Sequence, residues 1–175
     1  REGNIRELPI VDGWNILDDN LLACSDEHIR NVFAMLARQK QASEFTGGLE
    51  AARLKQWHVE ELKKLHPKQL FFAYDGPEDR EPLHEAGQLL HNGGFSKTNH
   101  VLRAYVLIGY PKDTFSAAES RLQECLSIGF IPMAMLYRDY KGEVDSQWRK
   151  FQRLWARPAI ILSNIKYKEL FCSNI

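Results

Sequence analysis

Repeated βα units that build a parallel sheet are the fold the sequence predicts, and three observations predict it. Short apolar runs alternate with longer amphipathic stretches, and Gly, Pro or polar clusters mark the joins. One run, Leu70-Phe71-Phe72-Ala73-Tyr74, is apolar without alternation, the pattern of a strand covered on both faces. The longer stretches carry apolar residues at i, i+3, i+4 and i+7, as a helix does when one face packs on a sheet.

The first strand is expected from Trp14 to Asp18, and Ser25 is placed to cap a helix from about Asp26 to Lys40 whose inner face is Ile29, Val32, Phe33 and Leu36. A brief strand around Ser43 to Thr46 follows, then a Gly47-Gly48 turn and a charged helix carrying Val59, Leu62 and Leu65, which Pro67 ends. After the strand Leu70 to Tyr74, Asp75-Gly76-Pro77 turns into a helix led by Glu78, Asp79 and Glu81. These acids suit the positive end of its dipole, and the helix stops near Gly93-Gly94. The fourth strand, Leu102 to Ile108, leads through Gly109-Tyr110-Pro111 to a helix whose capping box is Ser116-Ala117-Ala118-Glu119. A fifth strand, Ile131 to Tyr137, precedes the polar segment Arg138 to Asp145 and a final helix with Trp148, Phe151, Leu154 and Trp155 on one face. Five strands, each followed by a helical segment, imply right-handed crossovers and an open or partial barrel.

Composition narrows the function classes. With 44% hydrophobic and 26% charged side chains among 175 residues, the chain is an ordinary globular domain and not a disordered one. Lys plus Arg and Asp plus Glu number 23 each, so no net field draws it to nucleic acid or to an anionic membrane. The final helix interleaves no basic residues with its aromatics on the apolar face, which argues against a base-stacking platform, so no nucleic acid partner is expected. No run approaches the ~18 to 20 apolar residues of a membrane span, and a cytoplasmic, non-membrane protein is expected. Cys24, Cys125 and Cys172 lie far apart, matching neither a disulfide framework nor a metal knuckle; buried thiols are expected. Arg1 in place of Met is read as the start of a piece cut from a longer protein.

In parallel α/β sheets chemistry sits at the carboxyl ends of the strands. Those positions hold Asp18, Asp19 and Asn20; Gly47, Gly48 and Glu50; Asp75; Gly109 and Tyr110; and Arg138 with Asp139. Carboxylates on one rim suit binding of an amino or ribose group, a hard cation, or general acid and base work. Each also has a plain structural use as a turn or cap, Asp75-Gly76-Pro77 most clearly. The six histidines, His28, His58, His66, His84, His91 and His100, fall in expected helices or helix-to-strand loops, with His84 and His91 read as solvated. This weakens a barrel metallohydrolase. Cys24, four residues past Asn20, is read as a small buried thiol. Phe45-Thr46-Gly47-Gly48 lacks the lysine and spacing of a P-loop and is only a weak phosphate cradle.

Several segments in order resemble the radical S-adenosylmethionine (radical SAM) enzymes, from about Trp14 to Arg138. They are Ile16-Leu17-Asp18-Asp19-Asn20, Phe45-Thr46-Gly47-Gly48-Leu49-Glu50-Ala51, Phe72-Ala73-Tyr74-Asp75, Tyr105-Val106-Leu107-Ile108-Gly109-Tyr110-Pro111 with Asp113-Thr114 and Glu119, and Ala134-Met135-Leu136-Tyr137-Arg138. The resemblance implies a partial (β/α)6 barrel, TIM-barrel-like. The five strands would be its second to sixth, residues 1–157 its core and 158–175 a C-terminal extension. The first unit, with the CxxxCxxC loop that ligates a [4Fe-4S] cluster, is absent from this chain. The three cysteines cannot replace that loop, because a cluster needs its sulfurs gathered at one point. About 30 to 60 further residues before Arg1 are expected on this reading, the size of one βα unit.

The same resemblance assigns roles residue by residue. Asp18-Asp19-Asn20 occupies the place of the polar motif, often Gly-Gly-Glu, that holds the amino group of S-adenosylmethionine. The literal Gly47-Gly48-Leu49-Glu50 ranks second because it follows the next strand. Asp75 stands near the ribose hydroxyls, Ile108 and Gly109 pack on adenine, and Tyr137 and Arg138 lie near adenine or substrate. In the intact protein a reduced cluster would split S-adenosylmethionine into a 5′-deoxyadenosyl radical, with a reductant protein as partner and a substrate the sequence does not identify. Two other readings stand beside it: a non-catalytic SAM-binding or degenerate half-barrel interaction domain, and a barrel hydrolase or lyase with a divalent metal on Asp18, Asp19 and Asp75.

Overall fold

The computed structural model describes residues 5–18, 20–161 and 163. Its strands are β1 (Asn15–Ile16), β2 (Glu44–Leu49), β3 (Gln69–Tyr74), β4 (Leu102–Ile108) and β5 (Ile131–Leu136). Its helices are α1 (Asp26–Ala37), α2 (Gln56–Leu65), α3 (Arg80–Asn92), α4 (Phe115–Ile128) and α5 (Ser146–Trp155). The strands form one sheet in chain order, every neighbouring pair parallel. The protein is therefore α/β with a five-stranded parallel sheet, as the βα alternation predicts.

Because the order never reverses, right-handed crossovers return each connecting helix to the same face of the sheet. Burial follows that rule. In β4, Leu102, Ala104, Val106 and Ile108 are buried, while Arg103, Tyr105 and Leu107 between them are half-exposed. Leu70, Phe72 and Tyr74 of β3 share the covered face and join Val59, Leu83, Leu90 and Leu122 of the helices in one core. The uninterrupted apolar run of β3 thus has a cause other than helices on both faces. On the open face Phe71 is buried by Tyr105 of β4, the rings stacked at 4.2 Å and 13°. Stacking between neighbouring strands takes the place of a second layer of helices.

Local chemistry sets the element ends, in some places differently from expectation. The Ser25 hydroxyl accepts the His28 amide at 3.2 Å and starts α1 as predicted. The cap of α4 is Thr114, not Ser116: its hydroxyl accepts the Ala117 amide at 3.2 Å, and Phe115 opens the helix. His66 ends α2 in the left-handed region (φ 48°), since a residue before proline is kept out of the helical region. The largest departure is in β2. Gly47 and Gly48 do not form a turn but lie within the strand, and the β2–β3 register slips between Phe45 and Leu49. β1 shrinks from five expected residues to Asn15–Ile16.

Polar groups tie the helical layer to the sheet. Glu124 of α4 accepts from the Tyr74 hydroxyl (2.8 Å), from Arg80 Nε (2.6 Å) and faces His84 Nε2 (3.2 Å). His91 spans the Phe95 and Ile128 carbonyls at 3.0 and 2.8 Å. His84 and His91 are therefore contacts between α3 and α4 and not simply solvated positions. Of the expected apolar face of the final helix, Trp148, Phe151 and Trp155 pack on the core, whereas Leu154 is 52% exposed. Among the described residues no helix is long and apolar enough to cross a membrane.

His58, on α2, is fully buried against Trp57 with its Nδ1 accepting the Lys55 amide at 3.0 Å. Burial, helped by the Lys55 charge and only partly opposed by Asp26, pulls its pKa from 6.5 to about 4. The unfolded chain therefore takes up this proton near pH 6.5 and the folded chain only near pH 4. Its contribution is present above pH 6.5 and is lost as pH falls toward 4, by roughly 3 kcal/mol. The difference in urea unfolding free energy between wild type and His58→Gln should shrink over that window; a difference constant from pH 7 to 4 contradicts the assignment.

Candidate functional site

The carboxyl ends of the strands bring the predicted residues to one rim in two groups. The first lies where β1 and β2 end. Gly47 has no side chain because the Asp18 carbonyl sits there: a Cβ on Gly47 would lie 1.9 Å from Asp18 O. This close approach brings the residues after β1 beside those after β2. Asn20 Nδ2 then donates to Glu50 Oε2 at 2.6 Å, and Arg53 Nε donates to the same oxygen at 2.5 Å. Two positions that the sequence offers as rival holders of an amino group, one after each strand, are thus parts of one cluster. The Asn20 Oδ1 atom is buried and has no partner among the described residues.

Electrostatics at this cluster favours a carboxylate. Burial alone would raise the Glu50 pKa, but the hydrogen bonds from Asn20 and Arg53 outweigh it and hold the group below its ordinary value. Asp18 is exposed, its Oδ1 3.4 Å from the Asn20 amide. Asp19 lies outside the described residues. Gly48 adopts φ +96° with the Tyr105 ring 4.0 Å from its absent Cβ, and the Tyr105 hydroxyl donates to Thr46 O at 3.0 Å. The two glycines form the irregular part of β2, packed against the chain after β1 on one side and Tyr105 on the other.

The second group lies where β4 and β5 end. Gly109 (φ +73°), Tyr137 and Trp148 line a cavity of about 320 Å³ whose other walls include Asp139, Glu143 and Asp145. Gly109 does admit a flat ring, as the sequence suggests, but the ring is the chain's own Trp148, 3.0 Å from where a Cβ would stand. Tyr137 is 36% exposed and its amide donates to Ile108 O at 2.9 Å; Arg138 is exposed beyond it. The Ile108 side chain is fully buried on the helix-covered face, and Leu107, beside it, faces the open side. Asp75, exposed at the end of β3, stands between the groups, its amide bonded to Asp79 Oδ2 at 2.8 Å.

Sequence reasoning places Trp148 only in a packing face and Asp139 among the strand-end positions, and gives Glu143 and Asp145 no role. A glycine ending a strand, with a tryptophan late in the chain, was the available signal for the first. Among the described residues no group of three or more His, Cys, Asp or Glu side chains is placed to hold a metal ion. Cys125 is fully buried and burial raises its pKa, while Cys24 is half-buried, raised first by burial and then by the Asp18 and Glu7 charges. Cys172 lies outside the described residues. The described cysteines therefore do not form the tripod of thiolates a [4Fe-4S] cluster needs.

Fold and rim together define an α/β protein with a parallel sheet wound in chain order and a polar strand-end site. No protein-family model, curated protein or solved structure matches the chain.

Adding a methyl at Gly47 forces the β1 end away from β2, and such overpacking costs about 1 to 3 kcal/mol. For Gly47→Ala we expect a lower unfolding midpoint and faster hydrogen exchange at the Glu44 amide, which bonds to Trp14 O. Protection in β4 should be kept; unchanged exchange at Glu44 contradicts the packing described.

Proposed function

We propose that this chain is the cofactor-holding part of a radical SAM enzyme and that its strand-end rim binds S-adenosylmethionine. The observation that carries the reading is the pair at the β1–β2 end: an ionised Glu50 beside an unpartnered Asn20 Oδ1, two acceptors suited to an α-ammonium. Asp18, exposed beside that point, adds negative charge. At the far end, the cavity between Tyr137 and Trp148 has an aromatic wall and carboxylates able to accept from an exocyclic amine, which suits adenine. Gly109, Tyr137 and Arg138 belong to this end, and Asp75, between the two, suits the ribose hydroxyls. From β2 to β5 the rim spans about 14 Å at the usual strand spacing, in keeping with an extended nucleoside joined to an amino acid.

Strand order supports the barrel form of the reading. A section of a (β/α) barrel needs a sheet wound in one direction with helices on one face, as this one is, whereas a doubly wound sheet reverses its order at the ligand. The [4Fe-4S] cluster finds no ligand set among the described residues, so the cysteine triad would lie outside them. Reductive cleavage to the 5′-deoxyadenosyl radical, the reductant protein and the hydrogen-donating substrate belong to the intact enzyme. The Asn20–Glu50 pair needs no cluster in order to bind an ammonium, which suits a second reading, a SAM-binding domain that performs no cleavage.

Calorimetry with S-adenosylmethionine tests binding. Glu50→Gln removes the charge that faces the ammonium and is expected to weaken binding about tenfold, with Asn20→Ala losing less. No heat of binding to wild type, or equal affinity for Glu50→Gln, overturns the assignment. Formation of 5′-deoxyadenosine by a reconstituted protein that carries the cysteine segment separates the enzyme from the binding domain.

A further inference from the structure

Beneath the rim, α4 sends an arginine into the loop that follows β4. Arg121 is 8% exposed, and its Nη2 donates to Asp113 Oδ2 at 2.9 Å and to the Leu107 carbonyl at 3.0 Å. Asp113, whose side chain is 1% exposed, accepts from the Gly109 amide with that same oxygen at 2.8 Å and from the Thr114 amide with Oδ1 at 3.0 Å. The Tyr110 ring covers the guanidinium, its centroid 5.3 Å away. The loop so held is strained: Lys112 adopts φ +73°, a region that side-chain-bearing residues rarely occupy.

A buried ion pair is a poor source of stability, because removing both charges from water offsets most of their attraction. Here the pair is not even fully satisfied, since Arg121 Nε is buried without a partner among the described residues. What the pair does fix is shape. Its hydrogen bonds run without a break from α4 through Asp113 to the Gly109 amide, and Gly109 is a wall of the cavity that also includes Tyr137 and Trp148.

The geometry points to Arg121, acting through Asp113, as a positioning residue that sets the β4–α4 loop in its ligand-ready form and so tunes affinity for the nucleoside end of the ligand alone. This rests on the reading of the rim as a S-adenosylmethionine site. Neither residue touches the ligand. The amino-acid end, held at Asn20 and Glu50 where β1 and β2 end, lies on the other side of β3 from the pair and should not feel it.

Two ligands separate the ends: S-adenosylmethionine, and 5′-methylthioadenosine, which has no amino-acid group. Arg121→Lys keeps the charge but loses the forked geometry, and is expected to weaken both ligands about tenfold. Glu50→Gln is expected to weaken S-adenosylmethionine only. Wild-type affinity of Arg121→Lys for methylthioadenosine overturns the inference, even where its melting temperature falls. Asp113→Asn, with the same expected split, serves if Arg121→Lys does not fold. A measurement on wild type needs no variant: the Gly109 and Thr114 amides should be protected from hydrogen exchange before any ligand is added, and free exchange there overturns the inference. Binding of neither ligand by wild type defeats the reading of the rim and this inference with it, whereas wild-type binding with an unaffected Arg121→Lys defeats the inference alone.

Discussion

The arrangement of this protein depends on a backbone oxygen occupying the place of a side chain. The Asp18 carbonyl lies where a Cβ on Gly47 would be, so the chain just after β1 comes closer to β2 than a side chain at position 47 would allow. The consequences spread outward. β2 slips register between Phe45 and Leu49 and still returns Leu49 to the core, 2% exposed. The same irregularity exposes the Thr46 carbonyl to the Tyr105 hydroxyl, while Thr46 Oγ1 donates to Asn15 Oδ1 at 2.8 Å. Tyr105 is thereby fixed over Phe71, and the open face gains a bonded path from β4 to β1. At the strand end, Asn20 meets Glu50.

Much of this fold was legible because it follows from periodicity. The β4 limits Leu102 to Ile108 match the structure residue for residue, as the apolar run ends there at a glycine. α1 and its Ser25 cap were equally readable, although its last turn stops at Ala37 rather than Lys40. What could not be read depends on partners distant in sequence. Gly47-Gly48 resembles a turn because two glycines usually are one, and only the approach of Asp18 makes them strand. Phe71 looks like a residue under a helix, but its cover is an aromatic ring one strand away. A strand-end position alone does not say which face a side chain takes, and that of Ile108 turns to the helices.

The candidate site was legible in its members more than in its wiring. Asp18, Asn20, Glu50, Gly109 and Tyr137 were nameable from their places after apolar runs. That Asn20 and Glu50 share a hydrogen bond, and that Arg53 joins them, depends on a bulge no local pattern announces. Charge bookkeeping was equally blind: a net charge of zero does not say that Asp18, Glu50, Asp75, Asp139, Glu143 and Asp145 follow the strands, with Arg53 paired to Glu50 among them. Pairs such as Arg80 with Glu124 instead join α3 to α4.

Strand order equal to chain order also governs how such a chain can find its structure. Each strand pairs only with the units directly before and after it, so no loop much longer than one βα unit of about 30 residues must close before native contacts reward it. Folding can therefore start in any adjacent pair and spread unit by unit, in the manner of a repeat protein more than of a sandwich whose first and last strands must meet. The β3–β4 pair, with the stacked Phe71 and Tyr105 between its strands, is a natural place for that spread to begin.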